Sequence, residues 1–353
     1  MQYPALIINK DKIKHNTKVL TEKLGTHGIR AAGVTKVFCA IPEIAQAMVD
    51  GGVYALADSR IENLKRLKDI KVPKLLLRIP MLSQAAEVVE YADISLNSEL
   101  ETLKALSKAA KAKNKVHEVI LMIDLGDLRE GVWYERAVLY AGDIIKLENI
   151  KLIGVGTNLT CYGGVIPTKE NLGLLVKLGE EIEHKYNIKL DIISGGNSSS
   201  LHLIEKNEMP KRVNQLRLGE SIVLGLETAY GERIVDTYRN AFTFSAEIIE
   251  LKEKPSMPIG EIGMDAFGQK PVFQDKGIII RAIVAAGRQD VKPDGLKPRD
   301  SGIEVIGASS DHMILDITYA NRQYKIGDII EFDVNYGALL AAATSEYVNK
   351  VIK

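Results

Sequence analysis

Short apolar runs alternate with amphipathic stretches over the first two thirds of the chain. The amphipathic stretches, of which Ser98–Lys113 is the clearest, repeat leucine and alanine at the spacing of a helix face. Eight of the apolar runs have the length of buried strands, and they lie at residues 31–35, 53–57, 74–79, 92–96, 117–123, 150–156, 190–194 and 214–218.

This alternation predicts an α/β fold, specifically a (β/α)8 TIM-like barrel. A doubly wound open sheet is the alternative. No glycine-rich dinucleotide fingerprint follows the first strand, and polar, glycine-rich loops recur after several strands. Both features favour the barrel.

The pattern changes after about residue 235, where short β-rich segments are separated by glycine and proline turns. These segments are Phe242–Leu251, Gly277–Ala286, Gly302–Ala308, His312–Thr318 and Asp328–Val334. They predict a C-terminal mostly-β domain. The opening segment Tyr3–Asn9 is also strand-like. We therefore expect a barrel over residues 10–235 and a β-rich domain over residues 236–353. The β-rich domain should also include the N-terminal strand 1–9.

The composition excludes several classes of protein. Lys and Arg together number 46, as do Asp and Glu, so no net charge attracts the chain to nucleic acid or to an anionic membrane. No apolar run is long enough to span a membrane, and the first residues lack a signal-peptide pattern. The two cysteines, Cys39 and Cys161, argue against a disulfide scaffold and predict a cytoplasmic protein.

Lys36 stands at the carboxyl end of the first predicted barrel strand. A lysine there points into the mouth of the barrel, where it needs a partner, a lowered pKa or a covalent use. A lysine that only snorkels to the surface is the alternative.

Small and polar residues follow the seventh and eighth strands. Ser194-Gly-Gly-Asn197-Ser198 has the character of an anion-binding loop, and Gly219 can present backbone N–H groups to the same anion. Ordinary helix capping by the serines is the alternative. Arg217 would point inward, although a structural ion pair is the commoner role for such an arginine.

The loops after the fifth and sixth strands add further polar groups at the same end. Together, the loops bring to one mouth Lys36, Arg129, Asn158, Ser198, Arg217 and Gly219. One lysine, one anion site and several polar groups suit a phosphate-bearing cofactor held as a Schiff base.

These residues carry a resemblance. The chain resembles, over essentially its whole length, the fold-type III pyridoxal phosphate (PLP) enzymes of the alanine racemase superfamily, and most closely the alanine/ornithine racemase-like branch. The resemblance implies that Lys36 is the Schiff-base (aldimine) lysine and that Arg129, in Asp124-x-Gly-x-x-Arg129-x-Gly131, positions substrate. Asn158 falls where alanine racemases have a histidine stacked on the pyridine ring. The implied cofactor-binding set is Lys36, Asn158, Asn197, Ser198, Arg217, Gly219 and Glu220.

The chain also departs from the family pattern. Ala40 stands where alanine racemases have one phosphate-binding tyrosine, and the position of their C-terminal phosphate tyrosine falls near Thr344. The segment that should carry the second catalytic base, a tyrosine, contains none, and Asp265 is the candidate by position; a simple turn aspartate is the alternative. Asp311 matches the aspartate of the family's C-terminal Met-Asp motif and is expected, with Arg129, to contact substrate.

The resemblance implies a PLP-dependent racemase that inverts the α-carbon of an amino acid, here a basic one such as ornithine. A distal ammonium needs a carboxylate in its pocket, for which Asp311, Glu220 and Asp127 are candidates. The family also implies a head-to-tail homodimer whose sites are completed by the partner's β domain.

Four alternatives remain. The first is an alanine or broad-specificity racemase, and the second is a D-amino-acid aldolase or dehydratase. The aldolases and dehydratases use a C-terminal metal site of histidine and cysteine; His312 has no cysteine near it, so we expect no metal. The third is a PLP-binding regulator built from the barrel alone. The last is a phosphate-binding barrel without the cofactor.

Overall fold

The computed structural model describes every residue from Met1 to Lys353. The chain forms two compact units. One contains Lys10–Arg239, and the other combines Met1–Asn9, which includes strand β1 (Ala5–Ile8), with Asn240–Lys353.

The first unit is a closed barrel of eight parallel strands. In chain order these are β2 (Arg30–Val34), β3 (Ala55–Asp58), β4 (Lys74–Leu76), β5 (Ile94–Asn97) and β6 (His117–Asp124), then, after the two-residue strand β7 (Val132–Trp133), β8 (Ile150–Gly156), β9 (Ile192–Ser194) and β10 (Gln215–Leu218). The order β5-β4-β3-β2-β10-β9-β8-β6 is closed by the pairing of β5 with β6, while β7 pairs with β6 outside the ring. The predicted (β/α)8 barrel is confirmed, and the open sheet is excluded.

Helices follow the strands in regular alternation. They are α1 (Lys10–Gly25), α2 (Pro42–Asp50), α3 (Ile61–Arg66), α4 (Ala85–Tyr91), α5 (Leu100–Ala112), α6 (Ala137–Ile145), α7 (Lys169–Tyr186), α8 (Leu201–Glu205) and α9 (Glu220–Leu224). Short 3-10 helices precede several of them, including Lys36–Phe38 and Ser198–Ser200. None of the helices combines the length and the apolar character needed to cross a lipid bilayer.

Each barrel strand sends alternate side chains to two apolar layers. On β6, Ile120 and Met122 pack among residues of other strands, inside the barrel. Val119 and Leu121 pack instead with helix residues such as Leu103 of α5, outside it. Both faces of the strands are therefore buried, which is why they read as continuous apolar runs in the sequence.

The second unit is a mostly antiparallel sheet. Its strands, besides β1, are β11 (Phe242–Pro255), β12 (Ile278–Val284), β13 (Leu296–Pro298), β14 (Glu304–Ala308), β15 (Met313–Asp316), β16 (Ile329–Val334) and β17 (Asn349–Ile352). Strand β1 pairs antiparallel with β11 and parallel with β17. The unit also contains α10 (Tyr336–Thr344), a helix that the sequence pattern did not predict.

Candidate active site

Lys36 lies at the rim of the barrel, just beyond the carboxyl end of β2. The strand ends at Val34, and Lys36 is the first residue of the 3-10 helix Lys36–Phe38. Its neighbours Thr35 and Val37 are buried, whereas Lys36 is exposed. The turn thus presents a primary amine at the end of the barrel where TIM-barrel enzymes have their active sites.

Asp58, the last residue of β3, fixes the start of this turn. Its carboxylate is buried and accepts a hydrogen bond from the Thr35 hydroxyl at 2.6 Å. It also accepts from the Arg60 N–H at 2.9 Å and from Asn63 Nδ2 at 3.0 Å. Burial raises the pKa of Asp58, and these hydrogen bonds lower it. The sequence pattern did not identify this contact between Asp58 and Thr35.

Arg217 lies on β10, which pairs with β2 and aligns Arg217 with Ala32. It is buried, and its guanidinium donates to the Ser194 hydroxyl and, at 2.7 Å, to the Thr157 carbonyl. Burial lowers the pKa of Arg217 to about 10, so the group stays charged at neutral pH. Both hydrogen-bond partners are neutral. Arg217 is therefore not held by a carboxylate, as it would be in the structural ion pair that the sequence left open. The partners Ser194 and Thr157 were not identified from the sequence.

The loop after β9 is tied to the start of α9. Asn197 caps the 3-10 helix Ser198–Ser200 by accepting from the Ser199 N–H at 2.8 Å. The Ser198 hydroxyl lies 2.9 Å from the Ser221 hydroxyl and accepts from the Ser221 N–H at 3.2 Å. Two hydroxyls and a helix start are thereby gathered in one place.

Gly219 and Glu220 lie next to this hydroxyl pair. A Cβ on Gly219 would lie 3.2 Å from Cβ of Val34, so β10 and β2 approach closely at their carboxyl ends. Glu220 opens α9 and is half-buried. Burial raises the pKa of its carboxyl, and the positive charge of Lys36 lowers it. Lys36 and Glu220 are therefore electrostatic neighbours.

The loop after β6 is shaped by Asp124, whose carboxylate accepts from the N–H groups of Gly126 and Leu128. Gly131 has φ +133°, and a Cβ there would lie 2.5 Å from the Asp124 backbone nitrogen, so only glycine fits. Arg129 is exposed, and its guanidinium is engaged by the Glu130 carboxylate, which raises the pKa of Arg129.

Asp127 connects two of the loops at the mouth of the barrel. Its carboxylate is buried and accepts from the backbone N–H groups of Tyr162 at 3.0 Å and Val165 at 3.2 Å. Its carbonyl accepts from the Gly163 N–H. These bonds join the loops after β6 and β8 through Asp127.

Asn158 follows β8 and contacts the loop after β9. Its Oδ1 accepts from Asn197 Nδ2 at 3.1 Å. Three buried polar atoms of these loops have no hydrogen-bond partner, namely Thr157 Oγ1, Asn158 Nδ2 and Ser199 Oγ. Buried polar groups are normally satisfied, so this concentration of unsatisfied atoms is typical of a ligand site.

The two remaining predicted residues lie in the β-rich unit. Asp265 is exposed, and its Oδ1 accepts from the N–H groups of Phe267 at 2.9 Å and Gln269 at 2.8 Å, as a turn aspartate does. Asp311 is also exposed, with Oδ1 2.7 Å from His312 Nδ1, and this hydrogen bond lowers the pKa of the Asp311 carboxyl.

Comparison with known proteins identifies the family. The model of the family "Alanine racemase, N-terminal domain" matches residues 8–226. The ornithine racemase of Acetoanaerobium sticklandii is 52% identical, and the lysine racemase of Thermotoga maritima is 42% identical; each match covers 99% of both chains. The alanine racemase structure from D-cycloserine-producing Streptomyces lavendulae covers 100% of this chain and 98% of its own, with a TM-score of 0.78 at 16% identity. The chain therefore belongs to the alanine racemase family of fold-type III, pyridoxal phosphate-dependent proteins.

Proposed function

We propose that the protein is a PLP-dependent racemase that inverts the α-carbon of a basic amino acid such as ornithine. The observation that carries this proposal is the full-length similarity to two racemases, one named for ornithine and one for lysine. Both of these amino acids have an amine at the end of the side chain.

The residues at the barrel mouth fit this cofactor. PLP brings an aldehyde, a phosphate, a phenolic oxygen and a pyridine nitrogen, and the site offers an exposed amine, paired hydroxyls, unsatisfied buried polar atoms and a guanidinium bound only to neutral groups. Lys36 would hold the aldehyde carbon and Arg217 would face the ring nitrogen. The other residues proposed to hold the cofactor are Asn158, Asn197, Ser198, Gly219 and Glu220.

The bound cofactor supplies an electron sink that makes the α-proton of the amino acid acidic. Inversion then requires a proton-transfer group on each face of the α-carbon. Lys36 is proposed for one face, because it is the amine that would hold the cofactor beside the α-carbon. Asp265 remains our proposal for the other. Its turn hydrogen bonds are both made by Oδ1, and neither is made by Oδ2.

The two arginines have different proposed tasks. A guanidinium cannot give up its proton under ordinary conditions, so Arg217 keeps a positive charge in place without protonating the ring nitrogen. Arg129 lies at the rim, paired with Glu130, and is proposed to position the substrate.

Glu220 and Asp311 are the proposed partners for the distal ammonium of the substrate. Glu220 is the stronger candidate on the barrel, because it is half-buried beside Lys36 and burial raises the pKa of its carboxyl. A cation placed there would stabilise the charged form of the carboxylate.

We also propose a homodimer in the cytoplasm. Exposed apolar side chains flank Asp265 in the β-rich unit, with Ile259 and Val272 each 95% exposed and Met264 77% exposed. Exposed apolar groups this close together favour burial by a second copy. Neither Cys39 nor Cys161 is part of a disulfide bond, which supports a reducing compartment.

The test is a panel of ornithine, lysine, arginine and alanine read by chiral chromatography, with borohydride reduction and peptide mapping of the cofactor adduct. We expect ornithine or lysine to be racemised fastest and the adduct to lie on Lys36. Lys36→Arg keeps the charge and should abolish both adduct and activity. Fastest turnover of alanine would refute the basic substrate, and an adduct on another lysine would refute the site.

A further inference from the structure

The amide of Asn197 has only one orientation that satisfies its neighbours. Its Oδ1 lies 2.8 Å from the backbone N–H of Ser199, which can only donate. Its Nδ2 lies 3.0 Å from the backbone carbonyl of Leu159, which can only accept. Exchanging oxygen and nitrogen would place donor against donor and acceptor against acceptor. Two backbone groups of opposite polarity therefore fix the direction of this amide.

The orientation of Asn197 fixes that of Asn158. Asn197 Nδ2 also donates to the side chain of Asn158 at 3.1 Å, so the atom of Asn158 that faces it must be the oxygen. The nitrogen of Asn158 must then point away from Asn197. That nitrogen is shielded from solvent and has no hydrogen-bond acceptor. An unpaired buried donor is costly, so a partner for it is expected from the ligand that binds at this mouth.

The surroundings indicate the chemistry of that group. Thr157, the neighbour of Asn158, accepts from the guanidinium of Arg217, whose hydrogen-bond partners are neutral. A positive charge in the same group of loops as an unsatisfied donor favours a ligand oxygen that carries negative charge. The proposed reaction supplies such oxygens from three groups, the phosphate and the phenolic oxygen of the cofactor and the carboxylate of the amino acid.

We infer that Asn158 Nδ2 donates a hydrogen bond to an anionic oxygen of the bound cofactor or amino acid, and that Asn197 is the positioning residue that aims this donor. The inference rests on the proposed function, which supplies these anionic oxygens. It assigns to Asn158 a directed hydrogen bond, where the family resemblance implied only a position against the pyridine ring.

The experiment compares Asn158→Asp with Asn214→Asp. The first change keeps the oxygen that accepts from Asn197 and replaces the free donor with a second oxygen, which repels an anion. The second is the same chemical change at the amino end of the barrel, where Asn214 bonds only the backbone of Ile193 and Asp191. PLP affinity is measured by fluorescence titration of the apoenzyme, and ornithine affinity by absorption titration of the loaded enzyme.

If the acceptor belongs to the cofactor, Asn158→Asp binds PLP at least about tenfold more weakly and its absorption maximum shifts before any amino acid is added. If the acceptor is the substrate carboxylate, PLP binding and spectrum equal those of the wild type and the dissociation constant of ornithine rises by a similar factor. Either result supports the inference. Unchanged affinities for both ligands overturn it, as do equal losses in Asn214→Asp.

A second variant and a second measurement test the inference even if Asn158→Asp does not fold. Asn158→Ala removes the donor without adding charge, and the rise in Tm that PLP or ornithine produces should be smaller than in the wild type. An undiminished rise with both ligands overturns the inference. A wild-type protein that binds no PLP would instead refute the proposed function.

Discussion

The guanidinium of Arg217 is held by the hydroxyl of Ser194 and the carbonyl of Thr157, and both of these partners are neutral. A carboxylate in either place would cancel the positive charge that the site otherwise presents to a ligand. Ser194 is thus a positioning residue, because it acts on the site through Arg217. It ends β9, one strand away from Arg217 on β10.

Ser194→Ala is expected to lower the free energy of unfolding by about 1–3 kcal/mol, because a buried N–H of Arg217 loses its acceptor. The absorption spectrum of the bound cofactor should change as well, since the guanidinium is less firmly held. Ser194→Thr keeps the hydroxyl and should restore both properties. Urea unfolding and absorption spectra of the three proteins test this. A Ser194→Ala protein with wild-type stability and spectrum would contradict it.

The hydrogen-bond partners of single residues could not be predicted when they lie far away in the sequence. Arg217 was predicted to point into the mouth, and it is buried there; its partners come from β8 and β9, which only the folded barrel brings together. Asp127 was one of three carboxylates considered as partners for the distal ammonium of the substrate. The sequence carries no sign that Tyr162 and Val165, more than thirty residues later, place their N–H groups on it.

Elements were more predictable than contacts. All eight barrel strands lie within a few residues of the predicted runs, since strands buried on both faces are continuously apolar. Helix α10 was missed because its sequence, YGALLAAAT, is apolar around its whole circumference and has no periodicity. Helix α9 has five residues, too few to show a helical period.

The loops at the mouth depend on each other. The loop after β6 includes Leu128 with φ +58° and the loop after β8 includes Thr160 with φ +65°, conformations that a non-glycine residue rarely adopts. Asp127 joins the two loops by its hydrogen bonds to Tyr162 and Val165. We therefore expect the second loop to lose its fixed conformation when this carboxylate is removed.

Asp127→Ala should speed hydrogen exchange at the amides of Tyr162 and Val165, while the barrel strands keep their protection. The loop after β8 also contains Asn158, which is proposed to hold the cofactor, so KM for the amino acid should rise as well. Asp143→Ala is the matched control, because Asp143 lies on the surface of α6 and pairs only with Lys146. Unchanged exchange in residues 160–166 of Asp127→Ala would refute the role given to it.

At the scale of the whole molecule, positive and negative charges balance at 46 each. Near pH 7 the dependence of stability on pH is therefore set by individual groups with shifted pKa values, and net positive charge adds to it only as the carboxylates protonate in acid. His117 begins β6, is 3% exposed and has Nε2 2.8 Å from the Ser95 hydroxyl. Burial lowers its pKa to about 4.

The sign of the effect follows from this lowered pKa. Between the ordinary histidine pKa of about 6.5 and the folded value of about 4, the unfolded chain binds a proton at this position and the folded chain does not. The free energy of unfolding should then fall as the pH drops through this window, by up to about 3 kcal/mol from His117 alone. Asp58 acts in the opposite sense, since its raised pKa makes the folded state the better proton acceptor and removes stability as the pH rises through that value.

His117→Gln isolates the histidine, because glutamine does not titrate and can still hydrogen-bond to Ser95. Urea unfolding near pH 7 and pH 4.5 should show a loss of stability on acidification that is smaller in His117→Gln than in the wild type. His184→Gln is the control, since His184 is exposed on α7 and should leave the loss unchanged. Equal losses in His117→Gln and the wild type would mean that other groups unfold the protein in acid. A smaller loss confined to His117→Gln would show that one buried imidazole at the amino end of the barrel contributes to the loss of stability in acid.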